Sequence, residues 1–134
     1  MQLNVYLRET ANYAVRLEAM LLDAKARLVS EGMLSPLKTG GALHAIQVLV
    51  ENAICKAKQL VKASTEVTPV DAYAAFAGLE MIGGVQRDDL TAWRQAIGMR
   101  NRIVHGYLNI DSHVLYALLR EYAYRFIVDF LKRT

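Results

Sequence analysis

Cysteine is almost missing from this chain: Cys55 stands alone among 134 residues, so no internal disulfide can form. No Cys/His cluster has zinc-ligand spacing, which removes a structural metal as the staple of the fold and points to a reducing cytosol. Proline is scarce, at two residues, no Asn-Gly or Asp-Gly turn occurs between apolar runs, and no segment sustains period-two alternation. Half-buried strands and hairpins are therefore not indicated, and the chain reads as all-α. No apolar run approaches the ~18 residues needed to span a bilayer. Met1 to Glu9 also lacks a basic stretch ahead of an apolar one, so neither membrane insertion nor secretion is indicated.

Charged residues make up only 22% of the chain against 54% hydrophobic, too apolar a balance for disorder. The length suits one domain over residues 1–134, large enough for a real core. The formal net charge of +3 is unevenly placed. Residues 1 to 85 hold eight basic and eight acidic side chains, whereas residues 86 to 134 hold eight basic and five acidic. Seven of those last eight basic residues are Arg, whose planar fork suits phosphate, although a solvated helix face has the same composition.

Helical periodicity dominates. Leu3, Leu7, Thr10, Ala14, Leu17, Leu21, Ala24 and Leu28 form a seam with a 3.5-residue period, widened by Tyr6, Tyr13 and Met20. Gly32, Ser35-Pro36 and Gly40-Gly41 predict a loop of about ten residues before a second helix carrying Leu43, Ile46, Val50, Ala53, Ile54, Ala57, Leu60 and Val61. Cys55, beside that seam, reads as a small buried residue. Glu51 and Asn52 interrupt the seam, and a carboxylate there reaches solvent or holds a cationic partner. Thr68 and Pro69 predict the start of a short third helix, through Ala74, Phe76, Leu79 and Ile82, with Gly83-Gly84 closing it. Asp88 and Asp89 open a fourth, through Leu90, Trp93, Ile97 and Val104 to Gly106. Asp111 or Ser112 caps a fifth that runs through Leu115, Leu119, Tyr122 and Phe126 to Phe130. The expected fold is all-α, an antiparallel bundle of about five helices.

Polar chemistry is concentrated in one place. Arg100-Asn101-Arg102-Ile103-Val104-His105-Gly106-Tyr107 places two Arg, an Asn, a His and a Tyr in eight positions. From the chain's 10 Arg, 3 His and 7 Tyr, the pattern Arg-x4-His-x-Tyr arises by chance about 0.01 times. These residue types suit RNA cleavage by attack of the 2′-hydroxyl on the neighbouring phosphorus, which needs proton transfer and relief of charge on the phosphorane. Histidine, here His105, is the side chain most used as a general acid or base, Arg100 can hold two phosphate oxygens, and Asn101 lies four residues before His105 on the same face. Arg100 and His105, five positions apart, diverge by about 140° on a regular helix. They converge only if Gly98 and Gly106 permit a distorted helix end or if a second chain completes the site. The same residues also suit a structural arrangement, with Arg paired to a carboxylate, His at a helix terminus and Tyr packed on the bundle. His44 and His113, each near a helix start, read as structural or exposed. Arg94, Arg102, Arg120 and Arg125 are candidates for steering RNA or for ordinary surface positions.

The Arg100 to Tyr107 run resembles the Arg-x4-His-x-Tyr signature of HepT-like proteins, the HEPN-domain toxins of HEPN/MNT toxin-antitoxin modules. The helix from Ala42 to Ala53 with Glu51-Asn52-Ala53, the segment Asp71 to Phe76, and Leu108-Asn109-Ile110-Asp111 are similar to the family in the same order. The likeness covers roughly residues 40 to 130. It implies a homodimer with the motif in a cleft between protomers, and a metal-independent, cofactor-free endoribonuclease acting on tRNA or mRNA. Arg100 and His105 would be its essential pair, Asn101 would support them, and Arg102 is a candidate RNA contact. It further implies an MNT nucleotidyltransferase antitoxin that transfers AMP from ATP to Tyr107, blocking the cleft with a bulky anion. A non-catalytic helical module that binds nucleotides or a partner protein through the same cleft is the alternative.

Overall fold

The 3.5-residue seam folds as α1, Leu3–Glu31, which buries Leu7, Ala14, Leu17, Leu21, Ala24 and Leu28 along one face. The structure, a computed structural model, describes residues 2–106 and 109–134, so the predicted modification site Tyr107 lies outside the described residues. Gly32 ends α1 in the left-handed region at φ 79°, donating its N–H to the Leu28 carbonyl at 2.8 Å.

Five more helices follow among the described residues: α2, Pro36–Thr65; α3, Ala72–Met81; α4, Leu90–Gly106; α5, Ser112–Glu121; and α6, Arg125–Lys132. A short 3-10 turn, Arg87–Asp89, leads into α4. No strand is present among them. No helix of the described residues is long and apolar enough to cross a membrane.

Three boundaries differ from the sequence expectation. The loop before α2 is short, because Ser35 caps the helix by accepting the Lys38 N–H at 3.1 Å and Pro36 occupies the first turn. Gly40 and Gly41 therefore lie inside α2, where a Cβ on either would meet open space. Pro69 does not start α3; Asp71 caps it, its Oδ1 accepting the Ala74 N–H at 2.7 Å. The predicted fifth helix is two. Tyr122 adopts φ 54° and closes α5, and α6 begins at Arg125. Nothing in Tyr122's residue type announces a left-handed cap.

The helices pack around one connected core to which all six contribute. α2 is central: α1, α3, α4 and α6 all pack against it, while α1 also packs on α5 and α6. An aromatic cluster closes the end near α3. Phe76 stacks on Trp93 at 4.2 Å between centroids, and Phe126 and Phe130 meet the indole edge-on at 4.9 and 5.0 Å. Cross-links in sequence fasten the rest. The Leu34 N–H donates to the Tyr116 hydroxyl at 3.0 Å, fixing the α1–α2 turn to α5, and Lys132 pairs with Glu18 at 2.8 Å. Lys56, a buried cation, donates to the carbonyls of Phe130 and Arg133 at the end of α6 and lies over the Phe130 ring. Burial, with Arg133 nearby, lowers its pKa to about 8.

Candidate active site

α4 positions the motif because its two halves have different neighbours. Trp93, Ala96, Ile97, Met99 and Ile103 face the core, and the aromatic cluster holds the first of these. Before the helix, the Gln86 N–H donates to the Asp89 carboxylate at 3.3 Å and the Asp89 N–H returns to the Gln86 carbonyl at 3.0 Å, fixing the entry. The chain is α-helical without interruption to Gly106. Gly98 and Gly106 therefore introduce no break, and the roughly 140° between Arg100 and His105 is preserved.

Arg100 is half-buried against α2, its Nη1 3.9 Å from Glu51 Oε2. That separation is too long for a direct hydrogen bond, so the carboxylate holds the guanidinium loosely and leaves its fork available to an anion. Gln47 braces the carboxylate, its Nε2 3.4 Å from Glu51 Oε1. Arg100 Nε is buried with no hydrogen-bond partner among the described residues. Asn101 is half-buried on the next position round the helix.

His105 is exposed at the end of α4. It opens on a shallow depression of about 540 Å³ shared with Met99, Arg102, Asn109, Asp111 and Val114. Arg100 and Asn101 do not line it. Within one chain, His105 is thus grouped with Arg102 rather than with Arg100. Arg102 is exposed, its Nη2 3.5 Å from Met99 Sδ, and it also borders an adjoining apolar groove of about 400 Å³ between α4, α5 and α6.

Asp111 has a second task there. Its Oδ1 accepts the His113 N–H at 2.9 Å, capping α5. The sequence offers Asp111, or Ser112, as a cap but does not mark Asp111 and Asn109 as wall of the His105 depression, for which their place directly after the motif is the available signal. Nor does it single out Gln47, for which the i,i+4 spacing to Glu51 is the available signal. The candidate steering residues Arg94, Arg120 and Arg125 are exposed, Arg125 near Asp129 and Arg120 over the Tyr116 ring. His44 and His113 are exposed. Cys55 is exposed too, correcting its expected burial: it falls on the outer side of α2, next to the buried Ile54 and Lys56. Among the described residues no three His, Cys, Asp or Glu side chains gather closely enough to hold a metal ion.

The family model for HepT-like ribonucleases matches residues 11–134. The chain belongs to the HepT-like ribonuclease family. It is similar in fold to a chain from a crystal structure of a mutant toxin-antitoxin MntA-HpeT, with a TM-score of 0.68 and 13% sequence identity, covering 94% of this chain and 99% of that one. No curated protein matches it in sequence. Membership of the HepT-like family supports ribonuclease activity at the family level, and the all-helical bundle agrees with that of the structural neighbour.

Proposed function

We propose that this HepT-like chain is the toxin of a toxin-antitoxin module, an endoribonuclease that cleaves tRNA or mRNA with Arg100 and His105 as its reacting pair. The observation that carries this reading is the state of the two side chains on an unbroken α4: a half-buried Arg100 loosely held by Glu51, and a His105 open to solvent. In the reaction, His105 removes the proton from the 2′-hydroxyl, whose oxygen attacks phosphorus; the bond to the 5′-oxygen breaks and that oxygen takes up a proton. Arg100 neutralises charge gathering on the phosphorane, where a preorganised donor has its largest effect. Asn101 supports the pair, and Arg102, beside His105, contacts the RNA backbone.

Because one helix turns these groups apart, the complete site is assembled between two copies of the chain, each supplying its motif to a shared cleft. The activity is restrained by an MNT nucleotidyltransferase partner that transfers AMP to Tyr107, placing an anion where RNA phosphate would lie.

The test is induction of the wild-type and His105→Ala chains in a bacterial host, with total RNA examined at arrest and the intact mass measured after incubation with the nucleotidyltransferase and ATP. Wild type arrests growth and fragments RNA, His105→Ala does neither, and AMP mass maps to Tyr107. If both chains leave growth and RNA unaffected at matched expression while RNA or nucleotide still binds, the cleft is a binding module and the ribonuclease reading fails.

A further inference from the structure

α1 carries a second apolar seam that the fold leaves uncovered. Val15, Ala19, Leu22, Ala26 and Val29 recur at spacings of four, three, four and three, on the side of the helix turned away from the core seam. All five are exposed, Val15 at 50%, Leu22 at 41% and Val29 at 70%. Isolated surface hydrophobics are ordinary, but five in heptad register on one helix face are a packing surface that nothing among the described residues covers.

We propose that this face of α1 pairs antiparallel with α1 of a second copy of the chain, about a two-fold axis centred between Met20 and Leu21. The register follows from the residues. With that centre Val15 lies opposite Ala26 and Leu22 opposite Ala19, so these two large side chains meet small ones and the helices approach closely, while Val29 falls opposite Asn12 at the edge of the contact. The flanking charges agree. Arg16 falls beside Asp23 of the second copy and Glu18 beside its Lys25, each pair occurring twice by symmetry. A parallel arrangement would instead bring Glu18 against Asp23 and is disfavoured. Asp23 and Glu18 already hold Lys38 and Lys132 of their own chain, and a carboxylate retains acceptor capacity for a second cation.

This face is separate from the motif, since α1 packs on α2, α5 and α6 whereas α4 packs on α2 and α3. The pairing therefore stands or falls independently of RNA cleavage.

Mass by sedimentation and site-directed cross-linking test it. In wild type, mass rises with concentration to a species that Leu22→Asp halves, raising the dissociation constant roughly a hundredfold because an unpaired charge would be buried. Leu22 is exposed, so that variant keeps its helical circular dichroism. Arg16→Asp and Asp23→Arg each weaken the pair and together restore it. In a Cys55→Ser background, chains carrying Val15→Cys cross-link when mixed with chains carrying Ala26→Cys. Val15→Cys alone does not, its two sulfurs lying roughly 16 Å apart along the axis. An assembly mass indifferent to Leu22→Asp, or absence of the mixed cross-link, overturns the proposal. So does an unchanged self-association mass with loss of nucleotidyltransferase binding in Leu22→Asp, which would assign the face to that protein.

Discussion

The two halves of α4 are built from the same backbone and serve opposite ends. Around Trp93 the side chains are buried and stacked, with Phe76, Phe126 and Phe130 on three sides. Ten residues on, polar groups stand half-buried or exposed, with one loose carboxylate contact and an open depression. Among the described residues, the first half has its partners within the chain, whereas the second leaves donors and an imidazole without strong internal partners. A helix that satisfies its core at one end and withholds pairing at the other is arranged to meet something external.

Substitutions can separate the two halves. The sharpest contrast is Arg100→Ala, which should lower RNA cleavage by on the order of a thousandfold while shifting the melting temperature little, read from single-turnover cleavage beside thermal denaturation. Trp93→Ala should do the reverse, costing about 3–5 kcal/mol of stability in urea unfolding by leaving a cavity under Phe76 and Phe130. Should Trp93→Ala prove as stable as wild type, the anchoring role of the aromatic cluster would be wrong. Glu51→Gln keeps the shape of the side chain facing Arg100 and removes its charge. A roughly tenfold fall in kcat with KM nearly unchanged would mark it as a positioning residue, whereas a rise in KM alone would mark a simple binding contact.

The smallest effect concerns Lys56. Its folded pKa, about 8, lies below the unfolded value, so between those values the unfolded chain binds the additional proton and stability rises with pH. Relative to Lys56→Met, wild type should therefore gain roughly 1–2 kcal/mol from pH 7.5 to 10, and a flat difference would refute it.

The α1 core was legible because Leu7 to Leu28 repeat with the period of the contact they make. The end of α3 was legible for a related reason: Gly83 has φ 82°, a conformation that glycine reaches without strain. Gly40 and Gly41 misled by the same logic, since glycine permits a break without requiring one, and the Ser35 cap decided the matter. The division at Tyr122 and the exposure of Cys55 depend on which neighbours the tertiary structure supplies, and no local pattern records them. The motif was visible in full. Its surroundings were less so: Glu51 was recognised as needing solvent or a cation, but its pairing with Arg100 joins residues far apart in sequence.

The continuity of α4 gives the aromatic cluster a mechanical reach. Trp93 and His105 are separated by about 18 Å of rigid helix. At that length a tilt of about 5° at the anchored end sweeps the far end by about 1.6 Å. Displacements near 1 Å are enough to cost a catalytic geometry about a hundredfold in rate. Conservative changes in the packing around Trp93 should therefore register as lost aim at the imidazole well before they register as lost stability.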